Sequence, residues 1–290
     1  MLGCGAQAST TTSTATTTAR PAAASAPAPP PDRFDAKRAV RLMQLQVDYG
    51  QRPAGSPQLR ALAKKLRLLL PGGHFEAIPG EPKLRNVVGS LPGRAPAIVL
   101  GAHYDTLVKP KGFVGANNGA SGTAIVIGVA RALRKLHRPA GAPALRFVLF
   151  DGEEPAQGLP EEHSDFYDTG LRGSRAYVKR HGATTRAMVL LDYVANRGLQ
   201  LPREGTSTES LWAQVRAAAK RTRVLAYFPD TTGTAIIDDH SPFLRAGLPA
   251  VDLIDWSYDG HTLHDSMKRI STAATDAVGE TMVELLRSLR

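Results

Sequence analysis

Residues 97–105 read Ala-Ile-Val-Leu-Gly-Ala-His-Tyr-Asp, and residues 113–122 read Phe-Val-Gly-Ala-Asn-Asn-Gly-Ala-Ser-Gly. The first stretch is a short apolar run, a predicted strand over Ala97–Ala102, that ends abruptly on polar side chains. The second is a Gly- and Asn-rich loop that opens a predicted helix, Ser121–Leu136, with an Ala/Ile/Val face. Strand, polar turn and helix in that order are the unit of an α/β protein. Outward from this unit, Leu84–Leu91, Leu145–Phe150, Met188–Leu191 and Ala250–Ile254 also read as strands. Helices are predicted over Asp35–Tyr49, 57–70 after a Ser56-Pro57 cap, Arg172–His181, Ser210–Arg221 and Thr272–Leu289. The expected fold is α/β: a single domain with a mixed, mostly parallel central sheet flanked by helices on both faces.

Composition bounds the remainder. The chain has 290 residues, is 42% hydrophobic and 21% charged, and has a net charge of +10, values ordinary for a globular domain. Its apolar runs are far shorter than the ~20 residues a membrane-spanning helix needs. One cysteine, Cys4, excludes an intrachain disulfide and a Cys-rich zinc site, so a metal would be held by His and carboxylates. Of residues 5–31, 24 of the 27 are Ala, Thr, Pro or Ser. Such a segment buries too little to offset its chain entropy. Residues 1–33 are read as a disordered tether and 34–290 as the folded domain. Met1-Leu2-Gly3-Cys4 resembles the end of a bacterial lipoprotein signal, which makes Cys4 a candidate lipidated residue and the cell envelope the expected location. The alternative is a chance match in a cytoplasmic chain. Residues 32–72 carry nine Lys/Arg against three Asp. Without a nucleic-acid motif or interleaved aromatics, the first reading is solvated helix faces, and the second is attraction to anionic lipid or cell-wall polymer. A monomer is expected.

In open α/β sheets ligands bind outside the carboxyl ends of the strands. Four polar clusters stand there: His103-Tyr104-Asp105, Asp151-Gly152-Glu153-Glu154, Asp192, and, after an intervening loop, His261-Thr262-Leu263-His264-Asp265. Each alone reads as a satisfied structural histidine or as solvated charge. Together they offer imidazoles and carboxylates, the donors zinc takes, with a spare acid to move protons. Asp105, two residues after His103, is placed to orient that imidazole.

On the stretches 101–106, 113–122, 150–154, 173–175, 190–192, 238–244 and 261–262, occurring in family order, the sequence resembles the M28 zinc aminopeptidase superfamily, and most closely its glutaminyl-peptide cyclotransferase branch. The resemblance implies that Glu154 and His261 are ligands of the principal zinc and that Glu153 is the general base. It implies that Asp239 belongs to a hydrogen-bond relay beside the site. His103 and Asp192 correspond to ligands of a second zinc in the peptidases and stay near the site in the cyclases. It further implies a cis peptide bond after Asn118. Tyr104, Trp256 and Tyr258 are candidates for the substrate pocket.

Two positions depart from the family pattern. Asn118 stands where the family has an aspartate ligand, so a neutral amide oxygen replaces a carboxylate. Two Zn²⁺ ions would then face only Glu154 and Asp192 as anionic ligands, and one ion is favoured over two. Gly260 stands where the cyclase branch has a pocket-forming Trp, a role for which Trp256 is the nearby substitute. The loop 155–168 is acidic, with Glu161, Glu162, Asp165 and Asp168, and suits either a substrate's α-ammonium group or plain solvent. The first functional expectation is therefore a cyclase that converts N-terminal Gln of peptides or proteins to pyroglutamate. A zinc aminopeptidase is the second, and a metal-poor pseudoenzyme that binds peptides or partners is the third. The Asn-Gly-Ala-Ser-Gly stretch is no nucleophile elbow, because Thr123 lies two residues after Ser121.

Overall fold

The computed structural model describes residues 1–3, 32–155 and 166–289. Cys4, the rest of the Ala/Thr/Pro segment and the acidic residues Glu161, Glu162 and Asp165 lie outside the described residues. Six strands form one sheet in the order β1-β2-β4-β3-β5-β6: β1 (His74–Ile78), β2 (Glu81–Leu91), β3 (Arg94–His103), β4 (Pro143–Phe150), β5 (Thr185–Asp192) and β6 (Ala250–Ile254). The pairs β4–β3, β3–β5 and β5–β6 are parallel, and β1–β2 and β2–β4 are antiparallel. The fold is the single mixed α/β domain that the alternation of elements implies.

Parallel strands covered on both faces are apolar throughout, and the period of two divides their side chains between two cores. Ile98, Leu100, Leu145, Phe147, Leu149, Val189, Leu191, Val251 and Leu253 point to the larger core. Val99, Val148, Phe150, Met188, Leu190 and Ala250 point to the smaller one. The larger core is covered by α1 (Ala36–Val47), α2 (Pro57–Leu69), α3 (Ala120–Lys135), α6 (Glu209–Arg221) and α8 (Thr272–Ser288); the smaller by α5 (Arg172–His181) and α7 (Ser241–Arg245). Helix α3 is buried nearly all round, lying between the sheet and α1 and α8, which matches its Ala/Ile/Val composition. Asp35 caps α1 by accepting from the Arg38 N–H, and Ser56 caps α2 by accepting from the Leu59 N–H. A four-residue helix, α4 (Phe166–Thr169), precedes α5.

Strand β1 is absent from the expectation. It is a half-exposed edge strand with only Phe75, Ala77 and Ile78 as apolar residues, and the preceding Pro71-Gly72-Gly73 reads only as the end of α2. No helix among the described residues is long and apolar enough to cross a membrane.

Phe147, fully buried on β4 in the larger core, tests this packing. Phe147→Ala removes a ring and leaves a cavity, so stability measured by urea denaturation should fall by about 3–5 kcal/mol. A loss below ~1 kcal/mol would contradict the packing.

Candidate active site at the strand ends

Strand β3 lies between β4 and β5. The chain leaves β3 for β4 on one side and then crosses to β5 on the other, so the strand order reverses at the carboxyl end of β3. A crevice opens at such a point. His103 ends β3, Asp151–Glu154 follow β4, Asp192 ends β5 and Asp255-Trp256 follow β6.

Buried aspartates hold the loops in place. Asp105 is fully buried. Its carboxylate accepts from the backbone N–H groups of Glu153 (3.3 Å) and Glu154 (3.2 Å) and lies 3.5 Å from His103 Nδ1. It therefore sits where it can orient the imidazole. Asp151 accepts from the Arg85 N–H and the Tyr104 hydroxyl, tying the end of β4 to β2. Asp265 accepts from the N–H groups of Asn117 (2.8 Å) and Asn118 (2.9 Å). Arg52, fully buried, donates to the carbonyl oxygens of Val114 and Gly115 and spans the same loop. Burial lowers its guanidinium to about 10, against the raising effect of Asp265 and Asp105. Gly119 makes the turn into α3 at φ 78°, and a side chain there would lie 2.4 Å from the Asp105 carbonyl oxygen. The Asn118–Gly119 bond is trans, contrary to the family expectation; the cis peptides among the described residues precede Pro96 and Pro110. The left-handed turn at Gly119 redirects the chain instead.

Between these anchors, acids crowd one imidazole. His103, Glu153 and Glu154 each place one donor atom so that all three lie within 4.8 Å of one another. His103 Nδ1 is 3.7 Å from Glu153 Oε2, and Nε2 is 3.4 Å from Asp192 Oδ1. Asp238 and Asp239 are buried just beyond. Burial is the largest influence on Glu153, Glu154, Asp238 and Asp239 and raises their proton affinity. Glu154 is pushed up to about 8 and Asp238 to about 6. Glu153 is raised well above the carboxylate range by burial and by Glu154, and Asp239 by burial and by Asp238. For His103, burial opposes the proton, but Glu153, Asp105 and Asp192 prevail and raise it well above its ordinary value.

This donor set fits a cation. The groups are carboxylates and an imidazole, the hard and borderline donors of zinc. Both His103 ring nitrogens and Asn118 Oδ1 are buried without a hydrogen-bond partner. The mutual repulsion recorded in the raised proton affinities is what a bound cation relieves.

The pocket over this cluster has a volume of about 360 Å³. Glu153, Glu154, Asn118, Asp192 and His261 reach it, with walls of Ile236, Ile237, Ile254, Phe166 and Trp256. His261 is exposed on the rim, outside the close triad, with its ring edge-on to Tyr193 at 6.0 Å. Asn118 Nδ2 donates to Glu154 Oε1 at 3.0 Å and to the Tyr193 hydroxyl at 3.2 Å. Trp256, 49% exposed, stands at the mouth. The two tyrosines singled out in the sequence lie elsewhere. Tyr104 is fully buried, and its hydroxyl donates to the Arg85 carbonyl and to Asp151. Tyr258 packs behind Tyr193 and donates to Asp265.

Tyr193 is the wall residue that sequence reasoning misses. It takes φ 44°, a conformation non-glycine residues seldom adopt. Its ring fills the space beside Gly260: a Cβ at position 260 would lie 2.5 Å from the ring. The bulk expected from a side chain before His261 is therefore supplied by Tyr193, from the end of β5, while Trp256 sits at the mouth. The only sequence signal was the coincidence of a small residue at 260 and a large one after Asp192.

The mixed six-stranded sheet with this cluster at its strand ends matches the fold of zinc exopeptidases and glutaminyl cyclases. A model of Peptidase family M28 matches residues 86–286, and the chain belongs to that family. It is 28% identical over 238 residues to the glutaminyl-peptide cyclotransferase-like protein of Mus musculus, covering 70% of this chain and 62% of the relative. The chain thus spans somewhat less than two thirds of that relative's length. Among solved structures, the glutaminyl cyclase of Porphyromonas gingivalis has a TM-score of 0.75 at 28% identity and covers 88% of this chain and 99% of its own. A Zn-dependent exopeptidase of Parabacteroides distasonis has a TM-score of 0.76 at 25% identity, with 89% and 99% covered.

Two outcomes follow from the site. Glu154 and Asp238 hold protons in the folded metal-free protein at pH values where the unfolded chain has released them. Stability of the metal-free protein should therefore fall as pH rises from about 4 to about 8, because the folded state binds more protons across that window. Thermal melts should show this fall, and zinc at a hundredfold excess over its Kd should add about 2.7 kcal/mol. Gly260→Ala should cost about 1–3 kcal/mol by overpacking against Tyr193. Tyr193→Gly in the same chain should remove that penalty in a double-mutant cycle.

Proposed function

We propose that this chain is a zinc-dependent cyclotransferase of peptide N-termini, which closes an N-terminal glutamine into pyroglutamate and releases ammonia. The observation that carries the reading is Asn118. In the family position of a bridging carboxylate it presents an amide whose nitrogen is committed to Glu154 and Tyr193. A site with a neutral residue there suits one divalent ion better than two. Cyclisation requires one, because the nucleophile is the substrate's own amine rather than an activated water. The similarity to glutaminyl cyclases supports the same reading.

Glu154 and His261 would hold the ion, with Asn118 Oδ1 as a neutral donor and the His103–Asp192 pair beside it. When bound, zinc supplies a Lewis acid that polarises the γ-carboxamide carbonyl. The protein's own groups do the rest. Ile236, Ile237, Ile254 and Trp256 wall the pocket around the glutamine side chain and exclude water. Asp192 and Asp238 give the pocket the negative charge that attracts an α-ammonium group. Once the α-ammonium has released one proton to solvent, Glu153 takes a second from the free α-amine as that nitrogen bonds the γ-carboxamide carbon. It returns the proton to the departing nitrogen as the old C–N bond breaks, and ammonia leaves. Burial raises the proton affinity of Glu153, which favours its taking up a proton during the reaction. Asp239, buried beside Asp238 and within the field of Glu153, helps set that affinity.

A second reading is an aminopeptidase. The 3.4 Å approach of His103 Nε2 to Asp192 Oδ1 keeps a second pair of metal donors at the site, and the exopeptidase neighbour shares the fold.

The test is incubation of the zinc-loaded protein with a peptide beginning in Gln, followed by mass spectrometry. Loss of ammonia is expected, and Glu153→Gln should slow it by about 10²–10⁴-fold. Asn118→Asp should increase zinc retained on dialysis. Release of a free N-terminal amino acid would establish the peptidase reading instead. No turnover together with no zinc uptake would leave a peptide-binding protein.

A further inference from the structure

Two of the nine basic residues of segment 32–72, Arg38 and Arg41, share one face with a second basic segment from α3. Helices α1 and α3 run antiparallel, since Gln46 near the end of α1 donates to the carbonyl of Ala120 at the start of α3. That arrangement sets Arg38 and Arg41, early in α1, beside Arg131 and Arg134, late in α3. These four arginines line one groove, which no carboxylate lines. None of the four is in an ion pair among the described residues. Asp35, in the adjoining cleft, is committed to capping α1. The floor of the groove is apolar, formed by Leu42, Leu45, Ile127 and Ala130. At its edge the end of α2 presents Leu68, 74% exposed, and Leu69, 39% exposed. Apart from residues 1–2, the other exposed large apolar side chains among the described residues are Ile237, Trp256 and Leu263; the first two line the active-site pocket, and Leu263 lies two residues beyond His261.

We propose that this face docks on an anionic lipid bilayer, with the four arginines on headgroup phosphates and Leu68 and Leu69 in the acyl boundary. Two kinds of group on one face argue for it. Unpaired arginines call for a polyanion, and the guanidinium fork matches phosphate oxygens. Protruding leucines call for an apolar phase beside it, which a bilayer interface supplies and a nucleic acid does not. The geometry is consistent with a working enzyme. From Ala120, at the active-site end of α3, to Arg134 the helix rises about 20 Å, so the late-α3 arginines sit well apart from the pocket. This inference does not depend on the proposed reaction.

The experiment uses the full chain carrying Cys4→Ala, so that no acyl chain contributes. It is sedimented with vesicles of phosphatidylcholine alone or with about 25% phosphatidylglycerol, near physiological salt, where screening still leaves polybasic attraction measurable. Binding to the anionic vesicles should be at least tenfold tighter than to the neutral ones. Arg131→Glu with Arg134→Glu should weaken it by about 30-fold or more, at roughly a factor of five for each arginine removed. Leu68→Ser with Leu69→Ser should also weaken it, and both variants should keep the parent's melting temperature because the side chains lie at the surface. Equal binding to the two vesicle types, or binding unchanged in either double variant, would overturn the proposal. So would an oligonucleotide bound as tightly as the anionic vesicles and indifferent to the leucine substitutions, which would mark a general polyanion site.

Discussion

Burial of acids against one another governs the strand ends. Glu153, Glu154, Asp192, Asp238 and Asp239 are all less than a tenth exposed and share a single buried imidazole, His103. Each carboxylate withdrawn from water carries a solvation cost that only protonation or a positive partner offsets. The surrounding architecture exists to hold these groups together against that cost. Four parallel strands deliver the side chains to one edge. The backbone of Asp151–Glu154 is pinned from below by Asp105 and from the side by α5, where the Leu171 N–H donates to the Glu153 carbonyl at 3.0 Å and Arg172 donates to the Glu154 carbonyl at 2.7 Å.

The acids divide into two kinds. Asp105 and Asp265 spend their oxygens on backbone N–H groups and a hydroxyl of neighbouring loops, and Asp151 gives one oxygen to the Arg85 N–H and the Tyr104 hydroxyl. They fix geometry and face inward. Glu153, Glu154, Asp192 and Asp238 face the pocket. Behind them, His240 lies 3.2 Å from Glu204 and 3.7 Å from Asp252, so a second buried imidazole stands between two acids at the back of the wall. The division follows from hydrogen-bond supply, because an acid that accepts two backbone N–H groups has little left for a substrate.

Much of this was legible in the chain. The apolar runs and their polar endings place His103, Glu153, Glu154 and Asp192 at successive strand ends, because strand period and burial leave few other arrangements. Helix caps at Asp35 and Ser56 follow local rules. The edge strand β1 was not legible, since a half-exposed strand with three apolar residues has no distinctive pattern. Neither was the inward turn of Tyr104, because a residue between His103 and Asp105 can face either way once the strand ends. Asp265 and Arg52 act through contacts across 148 and 63 positions of sequence, and no local pattern reports such partners.

Tyr193 and Gly260 occupy one volume from two different loops. Space of that kind passes between positions only in a fixed order: the residue at 260 must be small before the one at 193 can be large, and the reverse on the way back. With both positions small the wall is empty, and with both large the side chains collide. Bulk at this wall is therefore a property of the pair rather than of either position alone.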